Sequence, residues 1–184
     1  MRSKKWLVLG GVILLSSCST LEQKKQGYNL EHDNKLIVYL KDTKTNKEVG
    51  TVTITPYIQN GESKGLMFTP HLYNLPGPSS HGFHLHINPS CDNNGMAAGG
   101  HWDPDKTDSH KGPYNEKGHK GDLPVLVVDA DGTATKPILA PRLQSLEELK
   151  GHSLMVHEGS DNYSDEPEAL GGGGSRMWCG VIED

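Results

Sequence analysis

Six of the ten histidines fall in one stretch, His81 to Asp122, which reads HGFHLHINPSCDNNGMAAGGHWDPDKTDSHKGPYNEKGHKGD. His84 and His86 are two residues apart. On an extended strand such residues share a face, and paired imidazoles on one face suit a metal better than an apolar core. His101, His110 and His119 follow at intervals of nine, and Asp122 closes the series. Gly99, Gly100, Pro104, Gly112, Pro113, Gly118 and Gly121 exclude regular structure between them. A long irregular loop in a compact domain is usually functional, and a metal could order it. His157 ends an apolar run, Ser153-Leu-Met-Val-His157, and strands distant in sequence can be neighbours in a sandwich. The candidate ligands are thus His84, His86, His101, His110, His119, Asp122 and His157. Imidazole suits copper and zinc, and aspartate suits zinc. Seven ligands are one short of two four-coordinate sites, and suffice if one histidine bridges two metals with both ring nitrogens. Asp161, four residues after His157, is a candidate acceptor for a ligand imidazole. His71, His81 and His152 are read as ordinary structural histidines, and His32 as solvated.

The elements that must position these groups are β-strands. Leu36–Leu40 is a short apolar run, and residues 49–54 alternate as in a half-buried strand. Asn60-Gly61 signals a turn before a strand over Gly65–Thr69. Leu123–Asp129 reads as a strand leading into a hairpin at Asp131-Gly132. Ser153–His157 and Arg176–Ile182 are the last strands. The one helical signal, Ser145 to Gly151, combines a capping box with a terminal glycine and predicts one or two turns. Short strands with frequent turns predict an all-β antiparallel sandwich or barrel.

Length predicts one domain with an appendage. Arg2, Lys4 and Lys5 precede a short apolar run from Trp6 to Leu15, too short to span a bilayer and typical of a signal peptide. Leu15-Ser-Ser-Cys18 resembles the lipobox of bacterial lipoproteins. That resemblance implies cleavage after residue 17, lipid on Cys18, membrane anchoring and a cell-envelope, periplasmic location. Residues 18–34 read as a polar tether and 35–184 as the domain. Outside the cytoplasm disulfides persist, and Cys91 and Cys179 can then pair with none left over. Residues 1–17 carry three basic and no acidic residues, so the remainder has 15 basic and 23 acidic residues and a net charge of −8. That excludes nucleic acid as an expected partner.

The chain closely resembles the bacterial, exported Cu/Zn superoxide dismutases over residues 35–184. The match is carried by Gly82-Phe-His84-Leu-His86, Gly99-Gly-His101, His110-Lys-Gly-Pro113, Gly118-His119-Lys-Gly-Asp122, Val156-His157, Asp161-Asn162, Gly171–Gly174-Ser-Arg176 and Cys179-Gly180. The resemblance implies a Greek-key β-sandwich or flattened barrel with long metal-binding and electrostatic loops; the dismutase is a standard example of the sandwich. It implies one copper per subunit on His84, His86, His101 and His157, and one zinc on His101, His110, His119 and Asp122, with His101 as the bridge. Asp161 would join His84 to His110, Cys91 would pair with Cys179, and Arg176 would stand beside copper. The implied reaction converts superoxide to dioxygen and hydrogen peroxide, with His101 and Arg176 as catalytic residues. Lys120 and Trp178 depart from the usual pattern, where an apolar and a smaller residue are common. The alternative is a periplasmic copper- and zinc-buffering protein using the same ligands without turnover. A storage site gains nothing from the Arg176 cation. Monomer and homodimer are both compatible with the sequence.

Overall fold

The computed structural model describes residues 34–183; the expected signal peptide, Cys18 and all of the expected tether but Asn34 lie outside them. The strands are β1 (Leu36–Asp42), β2 (Glu48–Gln59), β3 (Glu62–Leu72), β4 (Ser79–His81), β5 (Phe83–His86), β6 (Leu126–Val128), β7 (Ile138–Ala140), β8 (His152–His157) and β9 (Arg176–Ile182). Seven of them form an antiparallel sheet in the order β5-β8-β9-β1-β2-β3-β7, and β4 pairs with β6 in a second, two-stranded sheet. The main sheet curls into a half-barrel. The links from β3 to β5 and from β7 to β8 run between its two ends, as in Greek-key folds.

The alternation read in the sequence gives the core. Val38 and Leu40 of β1, Val52 and Ile54 of β2, and Leu66 and Phe68 of β3 all point inward and are almost fully buried. Phe83 of β5 meets Phe68 edge-on at a centroid distance of 5.9 Å. β5 and β8 are buried on both faces. Phe83, Leu85, Leu154 and Val156 turn to this core, whereas His84, His86, Ser153, Met155 and His157 turn to the opposite face. There the segment between β5 and β6 covers them.

Several expected elements differ. The strand at Gly65–Thr69 extends to the whole of β3, because the Asn60-Gly61 turn lets it pair with β2 along nearly its full length. The strand expected over Leu123–Asp129 shortens to β6. Asp131-Gly132 does close a tight turn, with Gly132 N donating to Asp129 O at 3.0 Å and Asp129 N to Thr133 O at 2.8 Å, but the strands on either side do not pair with each other. β6 pairs with β4, and β7 pairs with β3. Turn chemistry is local, and the choice of strand partner is not. The capping box at Ser145 is reciprocal, with Glu148 N donating to Ser145 Oγ at 3.4 Å and Ser145 N to Glu148 Oε1 at 3.0 Å. The short helix expected there is one 3-10 turn, Glu147–Leu149, within the one or two turns read from the sequence, and Leu143 before it and Leu149 at its end reach the core.

Candidate metal centre

Strand β5 sets His84 and His86 side by side, 6.4 Å apart between ring centroids. β8 pairs with it so that His84 stands opposite Met155 and His86 opposite Ser153. His157 lies at the end of β8, beyond a bulge between Val156 and His157. Bulges re-aim a side chain, and His86 Nε2 and His157 Nε2 come to 3.3 Å of each other. His101 enters from the loop through a bridge with His86 and stacks on His84 at 4.0 Å. These four buried imidazoles offer nitrogens within 4.8 Å of one another.

The other nitrogen of each ring is occupied, and that fixes which one is free. His84 Nε2 donates to Asp161 Oδ2 at 2.8 Å, His86 Nδ1 to Gly99 O at 2.9 Å and His157 Nδ1 to Gly174 O at 3.2 Å. His101 Nδ1 faces Asp122 Oδ1 at 3.0 Å. The lone pairs left over are on His84 Nδ1 and on Nε2 of His86, His101 and His157. Burial holds His84 and His86 well below the usual histidine pKa, and the charge of His101 adds to it. Burial likewise lowers His157 to about 4, with His101 and Arg176 pushing the same way. Neutral imidazole is the ligand form.

A second group surrounds Asp122. Its Oδ1 lies 3.0 Å from His101 Nδ1, 3.0 Å from His110 Nδ1 and 3.4 Å from His119 Nδ1. The last two are not aligned as hydrogen bonds. His84 Nδ1, His110 Nδ1 and His119 Nδ1 are buried without any hydrogen-bond partner, and a buried unpaired polar atom is costly. A cation in each group would satisfy all three. Distance alone also admits His84 to the Asp122 group in place of His119. His84 Nε2 is committed to Asp161, however, and its one free nitrogen is needed by the imidazole group. His119 is the better fourth donor. Asp122 Oδ2 accepts from Lys111 N and Gly112 N at 3.3 and 3.2 Å, so the carboxylate cannot turn away.

Asp161 spans the two groups, with Oδ2 on His84 Nε2 and Oδ1 on His110 Nε2, each at 2.8 Å. Burial works against its charge, and the hydrogen bonds from His110 and His84 override that and hold it below the usual carboxylate range. Burial also opposes protonation of His110, but its contacts with Asp122 and Asp161 raise its pKa to about 9. Gly171 lets the last loop approach: a Cβ there would lie 2.0 Å from Asp161 Oδ1.

Arg176 pairs with His157 across β8 and β9. Its Nη1 donates to Gly95 O and its Nη2 to Gly99 O, both at 2.6 Å. Gly99 O also accepts from His86, so the guanidinium and one imidazole of the first group hang on the same carbonyl. The Cys91–Cys179 disulfide forms, with a Cα–Cα distance of 5.7 Å, and ties this loop to β9.

Every expected site residue among the described ones is therefore brought to one region. The sequence did not point to several supports. Asp165 Oδ2 accepts from His110 N at 2.8 Å. A Cβ on Gly112 would meet Tyr163 at 2.6 Å, and Tyr163 Oη accepts from Val125 N at 3.0 Å. His81, read as merely structural, is buried and donates from Nδ1 to His157 O at 2.9 Å; only its place three residues before His84 could have drawn notice. His152 bonds to Ile87 O at 3.1 Å, and His71 is exposed. Trp178 packs in the core at 4% exposure, so its size is used there. Lys120 pairs with Glu148 and lies 5.2 Å above the ring of Trp102.

Two adjoining ligand groups joined through one imidazole, on the outer face of a curled β-sheet, define a binuclear metalloprotein. The sequence profile of the family described as copper/zinc superoxide dismutase (SODC) matches residues 48–182. The superoxide dismutase [Cu-Zn] of Francisella tularensis subsp. holarctica is 64% identical over 172 residues, covering 94% of this chain and 92% of that protein. Superoxide dismutase [Cu-Zn] 1 of Salmonella typhimurium strain LT2 is 52% identical, covering 96% of each. The solved Cu/Zn superoxide dismutase from Brucella abortus aligns with a TM-score of 0.73 at 47% identity, covering 81% of this chain and 99% of that one. The chain belongs to the copper/zinc superoxide dismutase family.

Proposed function

We infer that the protein is a superoxide dismutase, converting two superoxide anions and two protons to dioxygen and hydrogen peroxide. The observation that carries this reading is His101 standing between two ligand groups with the Arg176 guanidinium fixed beside one of them. His84, His86, His101 and His157 would hold copper, and His101, His110, His119 and Asp122 would hold zinc. Copper supplies the one-electron chemistry when bound, and zinc has no redox chemistry. The chain's own residues supply position, charge and a proton. His101 Nδ1 is held by the Asp122 group, which leaves Nε2 to take up a proton and pass it to the reduced oxygen species. Arg176 keeps N–H donors beyond the two spent on Gly95 and Gly99, and these orient the anion. A net-negative protein repels superoxide, so a local positive charge at the site must dominate; such steering is a documented feature of superoxide dismutase.

A buffering protein would need the ligands and not Arg176. The deciding experiment is a superoxide dismutation assay on purified protein, metal-free and after loading with copper and zinc. Copper-dependent turnover is expected. A fully loaded protein without turnover would favour storage. The Leu15–Cys18 motif supports the further reading that the chain is exported and carries lipid on Cys18. Fatty-acid labelling of wild type but not of Cys18→Ala is expected, and equal labelling of both would remove it.

A further inference from the structure

We propose that Arg142 is a positioning residue for the zinc group, acting through the backbone of His119; this rests on the zinc assignment above. Arg142 Nη1 donates to His119 O at 2.9 Å and Nη2 to Gly118 O at 3.0 Å. His119 N donates in turn to Ser109 O at 3.0 Å. The peptide of His119 is thus held at both its donor and its acceptor, and only the side-chain torsions remain to aim Nδ1 at Asp122. The grip reaches back to the core, because Leu143, the next residue, is 1% exposed. The same segment takes a second hold one residue on. Lys120 pairs with Glu148, whose Oε1 accepts from Ser145 N. A residue from the link between β7 and β8 therefore seats a ligand of a loop that has little regular structure of its own. The planar fork matters: guanidinium can reach two successive carbonyls at once, and an ammonium is a single point charge.

The test measures zinc affinity by chelator competition, copper affinity, and the visible spectrum with cobalt(II) in the zinc site. Partners of this kind typically change metal affinity by about 10- to 100-fold. Arg142→Gln is expected to weaken zinc by that factor, to leave copper affinity within about twofold, and to weaken the tetrahedral cobalt bands. Arg142→Lys is expected to fall between it and wild type, and carries the test if the Gln variant does not fold. Unchanged zinc affinity and cobalt spectrum in the variants, while His119→Ala loses zinc, would overturn the proposal. So would equal loss of both metals together with a lowered melting temperature of the metal-free protein, the mark of a general packing role. Zinc bound as tightly by His119→Ala as by wild type would overturn the zinc assignment itself.

Discussion

Arg176 and His110 show how single residues here are defined by what surrounds them. Arg176 is held by two loop carbonyls, one shared with His86, so its charge is fixed beside the imidazole group without occupying a ligand position. In the proposed role, loss of that charge would remove both steering and orientation of the anion. Arg176→Ala is expected to lower turnover by about 10- to 100-fold, at about 1.4 kcal/mol for each factor of ten. Arg176→Glu should be worse and Arg176→Lys mildest, all with unchanged copper and zinc content. Dismutation rates at fixed ionic strength check this, and full activity in a copper-loaded Glu variant would sink it. His110 is set between two carboxylates that raise its pKa to about 9. In the metal-free protein it is therefore protonated at pH 7, and zinc bound as proposed would displace that proton. Apparent zinc affinity should fall as pH drops from 8 to 6, by about tenfold per unit for each proton displaced. Calorimetry in two buffers of different ionisation enthalpy should register the release. Equal affinity at both pH values would contradict it.

At the scale of elements, β9 and the loop carrying Cys91 work as one unit. The disulfide joins residues 88 apart in sequence, and the loop it secures supplies the Gly95 and Gly99 carbonyls under Arg176. For a closed loop of that length the chain-entropy model gives a stabilisation of about 4–5 kcal/mol. Cys91→Ser with Cys179→Ser should lower the denaturant midpoint and also reduce turnover, because Arg176 loses its seat. A variant with lower stability but unchanged activity per bound copper would separate the two effects and refute the second. The contact of Gly112 with Tyr163 joins the loop carrying His110 and His119 to the one carrying Asp161. Gly112 has φ +73° and no room for a Cβ, so no other residue fits there without moving Tyr163.

For the molecule as a whole, two kinds of order coexist. β1 to β3 contribute to an apolar core that contains none of the candidate ligands. The segment from Gly99 to Gly121 has little regular structure and is held by scattered backbone hydrogen bonds and by imidazoles that converge on Asp122 and Asp161. Metal binding there is coupled to the ordering of the loop, and a ligand at a thousand times its dissociation constant stabilises by about 4 kcal/mol. Removal of zinc by a chelator should lower the melting temperature. It should also speed amide hydrogen exchange across 99–122, while β2 and β3 stay protected. Uniform loss of protection over the whole domain would show that the loop has no separate stability.

The sequence by itself singled out the seven candidate ligands. Histidine spacing of two on a strand, the recurrence of nine through a glycine-rich loop and the closing Asp122 are local chemical facts, and so are the apolar runs behind β1 and β8 and the alternation behind β2. It also singled out Arg176 and Asp161, through motif resemblance. Only the tertiary structure decided which nitrogen of each imidazole is free, since that depends on partners 13 to 77 residues away. The bulge that turns His157 toward His86, the partner choice that keeps the strands flanking Asp131-Gly132 apart, and the hold of Arg142 on His119 are of the same kind. Each is a relation between segments brought together by strand pairing and core burial, and no window of sequence contains both halves of it.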